Sequence, residues 1–253
     1  MPPQKSSVYE RHPVGTGVAC CGGLPAGPNP SARGRRGAMT PFIVKIAQDE
    51  IPQDVLQQAG AILRGGGVLL HPTETVYGLA ARWDREDALH RIARIKQRPP
   101  NQPLTLMVAR VEAILQLSGW EDGRLRRFLQ AAFPAPLTVL LPRKRTLPIL
   151  YWNQFPLLGF RLPAHRPSLQ LVQAAGQPLV TTSANLSGQA PPKALPEVPD
   201  SLKDQVDLVL DGGPCLLQVP STIIQIDPQR WSYQLVRRGA LAAEEINRFF
   251  EQG

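Results

Sequence analysis

Residues 71–81 read HPTETVYGLAA, two threonine hydroxyls, a glutamate and a tyrosine set in one short stretch after the buried-looking run GGGVLL. Similar polar clusters recur along the chain. Lys96-Gln97-Arg98-Pro99 closes an amphipathic stretch, and Gly159-Phe160-Arg161-Leu162-Pro163 puts a cation inside an apolar strand pattern. TTSANLSG (181–188) follows the run PLV, while Pro220-Ser221-Thr222 and Arg237-Arg238-Gly239 bracket the C-terminal strand patterns. Each cluster sits where a periodic segment ends, the usual place for function on a rigid scaffold. Taken together they supply Lys96, Arg98, Arg161 and Arg237 as fixed cations and Thr75, Ser183 and Ser221 as hydroxyls. No candidate nucleophile has a base beside it in sequence. Such a set would act by positioning anions and stabilising developing charge, as in phosphoryl and adenylyl transfer.

Each cluster also has a purely structural reading. Cations at a helix C-terminus complement its dipole, worth about 0.3–1 kcal/mol. An arginine in an apolar strand needs either an anion or an exposed strand face. TTSANLSG is compatible with an Asx or Ser/Thr turn closed by Gly188, and also with an oxyanion or phosphate using its many donors. Tyr77 fits beside a substrate or in a core. Residue types alone leave these alternatives open.

Familiar nucleotide and metal signatures are absent. There is no G-x-x-x-x-G-K-[ST], no G-x-G-x-x-G, no H-E-x-x-H among the four histidines, no C-x-x-C and no G-x-S-x-G. A protein-ligated metal is therefore not expected. The formal charge of +8 points to anionic partners such as nucleotides, nucleic acid or small carboxylates. Three cysteines, Cys20, Cys21 and Cys215, make no secreted-type disulfide framework, and no run approaches the ~20 apolar residues of a membrane span. A cytoplasmic protein with no membrane partner is the expectation.

Residues 1–38 hold six Pro, seven Gly and five Lys or Arg against one acid, Glu10. That composition predicts a disordered extension, with Met39 as an alternative start and an organellar leader as a third reading. From residue 42 onward, apolar runs alternate with helical periodicity, the pattern of an α/β domain over 39–253. Strands are expected at 42–47, 67–71, 104–109, 137–142, 157–162, 178–183, 206–211, 222–226 and 233–238. Helices are expected at 53–63, 85–97, 124–132, 169–175 and 242–250, the second capped by Asp84 with Asp87. Strand pairs without an intervening helix after residue 206 predict a mixed sheet.

Six motifs in one order carry a resemblance: PTETVYGL at 72–79, K-x-R at 96–98 with Q-P-L at 102–104, R-L-P at 161–163, S-A-N-x-S-G at 183–188, S-T-I at 221–223 and R-x-G-A at 237–240. Over residues 42–242 the chain resembles the YrdC/TsaC family of threonylcarbamoyl-AMP synthases. The resemblance implies a single YrdC-like domain whose twisted mixed parallel and antiparallel sheet, flanked by helices, curves around a large basic cavity. It implies condensation of L-threonine, bicarbonate and ATP to threonylcarbamoyl-AMP and pyrophosphate, with Mg²⁺ carried on ATP. A threonylcarbamoyl transferase would then accept the intermediate for tRNA modification, and tRNA or double-stranded RNA is a candidate contact.

Carried over by motif, Thr75, Arg161, Ser183 and Ser221 resemble threonine contacts, and Arg98, Gln102, Asn185, Lys193 and Arg237 resemble ATP contacts. Lys96, Arg98, Ser183 and Asn185 resemble the activity-linked set. Gln97 stands in place of the common Gly of K-G-R-P, Arg238 in place of a common Pro, and Met107 where many members carry a histidine near the threonine. PLTLMV is also similar to the YciO-like branch, which implies an altered acyl substrate as one alternative. A non-catalytic RNA-binding protein is the other.

Overall fold

The computed structural model describes residues 42–97, 104–143, 146–147 and 149–253. The elements run β1 (Ile43–Lys45), α1 (Gln53–Arg64), β2 (Leu69–His71), β3 (Gly78–Arg82), α2 (Glu86–Ile95) and β4 (Thr105–Met107). They continue with α3 (Val111–Ser118), α4 (Gly123–Ala132), β5 (Leu137–Pro142), β6 (Leu157–Arg161), α5 (Arg166–Ala175) and β7 (Leu179–Ser183). The chain closes with α6 (Asp200–Lys203), β8 (Leu208–Asp211), β9 (Thr222–Asp227), β10 (Ser232–Arg237) and α7 (Ala243–Glu251). No helix of the described residues is long and apolar enough to cross a membrane.

The ten strands of the described residues join one sheet in the order β1-β8-β2-β3-β7-β4-β6-β5-β9-β10. Parallel pairs (β1 with β8, β2 with β8, β4 with β6, β5 with β9) alternate with antiparallel ones, so the sheet is mixed, as the helix-free connections require. Because side chains alternate across a pleated strand, the register divides the residues into two faces. One face carries Leu70, Leu79, Ala81, Leu106, Val139, Phe160, Val180 and Ile224, all in the larger hydrophobic core.

The other face is itself divided. Leu69, Ala80, Met107, Leu179, Leu208 and Leu210 pack under α1 and α5 in a second core. Helix α1 presents Val55, Ala59 and Leu63 and α5 presents Leu171, Val172 and Ala175, stripes at helical spacing. Beyond those helices the same face turns polar, with Thr105, Thr138, Arg161, Thr181 and Ser183. A strand carrying Leu179 beside Thr181 and Ser183 thus runs from core to polar floor within five residues.

Several expectations change. Strand β3 and helix α3 were not anticipated. GLAAR has weak strand propensity, and it is strand because β2 and β7 pair it on both sides. Asp84 does not cap α2. The N-cap is Arg85 with no side-chain cap bond, and Asp84 instead accepts from Arg82 Nε at 2.8 Å. Helix α5 starts earlier than its apolar spacing suggests because His165 caps it, its Nδ1 accepting from Ser168 N at 3.3 Å.

Where α1 meets α5, a Cβ on Gly60 would stand 2.8 Å from Ala174 O and 3.1 Å from Ala174 Cβ. Replacing Gly by Ala in a helix gains up to ~1 kcal/mol of propensity, whereas overpacking against a backbone carbonyl costs ~1–3 kcal/mol. Gly60→Ala is therefore expected to lower stability by about 1 kcal/mol, read as a lower urea midpoint at unchanged slope. A raised midpoint would contradict this packing.

Candidate functional site

The 72–77 turn is built on one hydroxyl. Thr73 Oγ1 accepts from Thr75 N (3.1 Å) and Val76 N (3.2 Å) and donates to Val76 O (2.7 Å). Its proton is thereby committed, so the 2.8 Å contact between Thr73 Oγ1 and Thr75 Oγ1 has Thr75 as donor. Arg161 Nη2 donates to Thr75 Oγ1 at 2.7 Å, which leaves the Thr75 hydroxyl one lone pair and no proton. The same Nη2 donates to Glu74 Oε1 at 2.8 Å, and this ion pair is buried on both sides. Glu74 Oε2 and Arg161 Nε are enclosed without a partner.

Arg237 reaches the same region from β10. A bulge between Leu235 and Arg237 puts Arg237 opposite Ile223, on the polar face. Its Nη2 donates to Ser221 O at 2.7 Å and to Ser221 Oγ at 3.3 Å, and that hydroxyl lies 2.9 Å from Thr138 Oγ1. Among the described residues no carboxylate lies within ion-pair distance of Arg237. Burial, and then the Arg161 charge, lower the Arg237 pKa from its ordinary value.

Lys96 plays a different part. Its ammonium is buried and donates to Asn185 O (2.7 Å) and to Ser183 O, while its own carbonyl accepts from Ser187 N (3.1 Å) and Ser187 Oγ (3.0 Å). The end of α2 is thus stitched to the 183–188 turn. Asn185 Nδ2 donates to Leu186 O and Gln189 O, both at 2.8 Å, and its Oδ1 is enclosed and unpartnered. Ser183 sits opposite Gly78 at the start of β3. Gln97, next to Lys96, has φ 48°, the left-handed region glycine adopts at least cost. That accounts for the common glycine of K-G-R-P.

The segment between β8 and β9 crosses the 72–77 turn. Leu217 N donates to Glu74 O and Cys215 N to Lys193 O, both at 2.8 Å. Lys193 is exposed. Tyr77 is fully buried, its hydroxyl donating to Gly213 O (2.8 Å) and accepting from Gly212 N (3.2 Å), so of its two readings the packed one holds. Met107 is buried in the second core, in register with Arg161. Arg98 and Gln102 lie outside the described residues. Glu74 is the polar partner that the motif reading did not assign to the site. A glutamate in a turn reads as solvated until Arg161, 87 residues away, is placed beside it.

Two histidines back this cluster. His71 Nδ1 lies 2.9 Å from Pro72 O, a pure acceptor, so Nδ1 carries the proton and Nε2 is an enclosed acceptor without a partner. Burial first, then His165 and Arg161, lower its pKa to about 3. Burial likewise lowers that of His165. Among the described residues no group of three His, Cys, Asp or Glu is placed to hold a metal ion.

A family model described as Telomere recombination, spanning the Sua5, YciO and YrdC proteins, matches residues 61–239. The threonylcarbamoyl-AMP synthase of Pyrococcus abyssi is 31% identical over 206 residues, covering 81% of this chain and 60% of that protein. The crystal structure of P. abyssi Sua5 complexed with L-threonine matches with TM-score 0.75 at 29% identity, over 83% of this chain and 61% of the other. Escherichia coli YciO matches with TM-score 0.72 at 28% identity, over 81% of this chain and 99% of the other. The chain thus spans about 60% of the length of the archaeal protein.

His71 stays neutral in the fold down to about pH 3, whereas the unfolded chain protonates it near 6.5. Between those values the unfolded state binds the extra proton, so stability is full above pH 6.5 and falls as pH drops. The group contributes a slope approaching about 1.4 kcal/mol per pH unit. In urea titrations at pH 4.5–6, His71→Gln should show a shallower slope by nearly one proton, with His165 still contributing in the same direction. An unchanged slope would refute the neutral buried imidazole.

Proposed function

The chain belongs to the Sua5/YciO/YrdC family, and on that premise we propose that residues 39–253 form an ATP-dependent threonylcarbamoyl-AMP synthase domain. The observation that carries this reading is the charge count on the polar face. Arg161 is buried against one carboxylate, Glu74, while Arg237, more exposed on the same face, lies close enough to feel the Arg161 charge and has no carboxylate within ion-pair distance among the described residues. A site with that imbalance favours an anion. The reaction brings three, the threonine carboxylate, bicarbonate and the ATP phosphates.

The proposed cavity has the polar half of the sheet as its floor. There Arg161, Thr75, Ser183 and Ser221 hold threonine, and Arg237, Asn185 and Lys193 hold ATP, with Arg98 and Gln102 assigned to ATP on motif alone. Lys96 works by fixing the backbone of Ser183 and Asn185, so that the 183–188 turn is preorganised for charge stabilisation. Holding the reactants in one orientation supplies much of the acceleration, since the steps are otherwise termolecular in demand. Mg²⁺ enters on the ATP phosphates. Glu74 is already ion-paired with Arg161, which leaves the ATP phosphates to carry the ion in this reading.

The class of reaction is adenylyl transfer to N-carboxy-threonine with release of pyrophosphate. The intermediate calls for a threonylcarbamoyl transferase and a tRNA acceptor, and a cytoplasmic setting fits. A YciO-like paralogue with an altered acyl substrate is the second reading. It is favoured by Met107, an apolar side chain in register with Arg161, and by the match to E. coli YciO.

Purified protein with ATP and bicarbonate should release pyrophosphate when L-threonine is added, and not with serine or valine at equal concentration. Lys96→Ala and Arg237→Ala should each lower that rate by about 100-fold, the scale of losing preorganised charge stabilisation. Full rates in both variants would remove these residues from the site, and release driven equally by other amino acids would favour the second reading.

A further inference from the structure

We propose that Glu74 receives the amine of the amino-acid substrate on Oε2 and removes its proton, an inference that rests on the functional reading above. A carboxylate that merely braces an arginine usually does so side-on, with its two oxygens taking two guanidinium N–H groups in parallel. Glu74 and Arg161 do not. They meet at one point, Oε1 with Nη2 at 2.8 Å, and each keeps one enclosed, unpartnered atom, Oε2 and Nε. Each such orphan costs ~1–3 kcal/mol, a cost that a side-on pair does not carry. The arrangement therefore suits a ligand that brings one donor and one acceptor together. An α-amino acid does so, its ammonium donating to Oε2 and its carboxylate accepting from Nε. An anion alone would leave Oε2 unsatisfied, and a cation alone would leave Nε.

The proton transfer follows from the chemistry. An ammonium has no lone pair, so it must lose a proton before it can attack carbon. Arg161 from β6, His165 ahead of α5 and Cys215 from the segment after β8 face Glu74, and Arg237 and His71 face Arg161. The guanidiniums cannot accept a proton, Cys215, pushed up to about 11 by burial, is a neutral thiol, His165 already accepts from Ser168 N on Nδ1, and His71 faces the Arg161 charge. Glu74 is the carboxylate in place. One ammonium proton passes to Oε2, and the freed lone pair forms the N–C bond to bicarbonate. The C–OH oxygen departs as water with a second amine proton, leaving the N-carboxylate. A carboxylate oxygen of that group then bonds the α-phosphorus as the bond to pyrophosphate breaks, and Glu74 returns its proton to solvent.

The test uses the full chain, with thermal denaturation confirming that Glu74→Gln is folded. Threonine-dependent pyrophosphate release is followed from pH 7 to 10, and calorimetry compares L-threonine with 3-hydroxybutyrate, its deaminated analogue. Glu74→Gln is expected to lower kcat about 10²–10⁴-fold at pH 7.5, the range for loss of a general base. Its activity should recover as pH rises and free amine forms in solution, and the preference for threonine over the analogue should vanish. The proposal is overturned if Glu74→Gln keeps the wild-type kcat, or if only KM rises by the same factor at every pH, as loss of an Arg161 brace would give. Equal affinity of the wild type for threonine and the analogue also overturns it. If Glu74→Gln unfolds, Glu74→Asp should retain the wild-type pH profile at reduced kcat, and a changed profile overturns the proposal. Should the wild type release no pyrophosphate with threonine, the functional reading fails, and the calorimetric comparison still decides whether Glu74 meets an amine.

Discussion

The guanidinium of Arg161, buried against Glu74 on the polar face of the sheet with the more exposed Arg237 nearby, is the constraint on which the remaining structure depends. Arg161 is held by Glu74 and Thr75, and Arg237 by the carbonyl and hydroxyl of Ser221. Charges removed from water are costly unless paired, so such an arrangement persists only when rigid elements hold it. Here those elements are strands whose opposite face is buried in the larger core, which fixes their register. A slip of one residue in β6 would turn Arg161 into that core and Phe160 out of it.

The division of one sheet face into an apolar half and a polar half explains how a small domain combines stability with a site. Helices α1 and α5 cover Leu69, Ala80, Met107 and Leu179, and each fully buried residue of this kind contributes about 1.5–3 kcal/mol if large. The polar half beyond them carries the hydroxyls and cations. Met107 sits in register with Arg161 at the seam and is itself buried in the second core, so the apolar half of the face reaches the strand pair that carries the buried guanidinium. Lys96 contributes from outside the sheet, by tying two carbonyls of the 183–188 turn to the end of α2.

Much of this was legible in the sequence because apolar alternation and strand-end polar clusters are local signals. Nine strands and the main helices follow from them, and so does the mixed character of the sheet. What escaped is what pairing and distance decide. Strand β3 is strand through its two neighbours and not through GLAAR. The bulge before Arg237 reverses the face on which simple alternation from Leu235 would place it. The role of Glu74 depends on an arginine far along the chain, and Lys96, legible as a fixed cation of the activity-linked set, has as partners two backbone carbonyls that no local signal announces. Arg98 and Gln102 rest on motif alone, since they lie outside the described residues.

The most direct measurement is a crystal structure of the protein with L-threonine and a non-hydrolysable ATP analogue. The account requires the amino-acid carboxylate against Arg161, its amine at Glu74, and phosphate oxygens on the side of Arg237. Ligands seated away from that face, or a threonine whose carboxylate touches neither guanidinium, would contradict it.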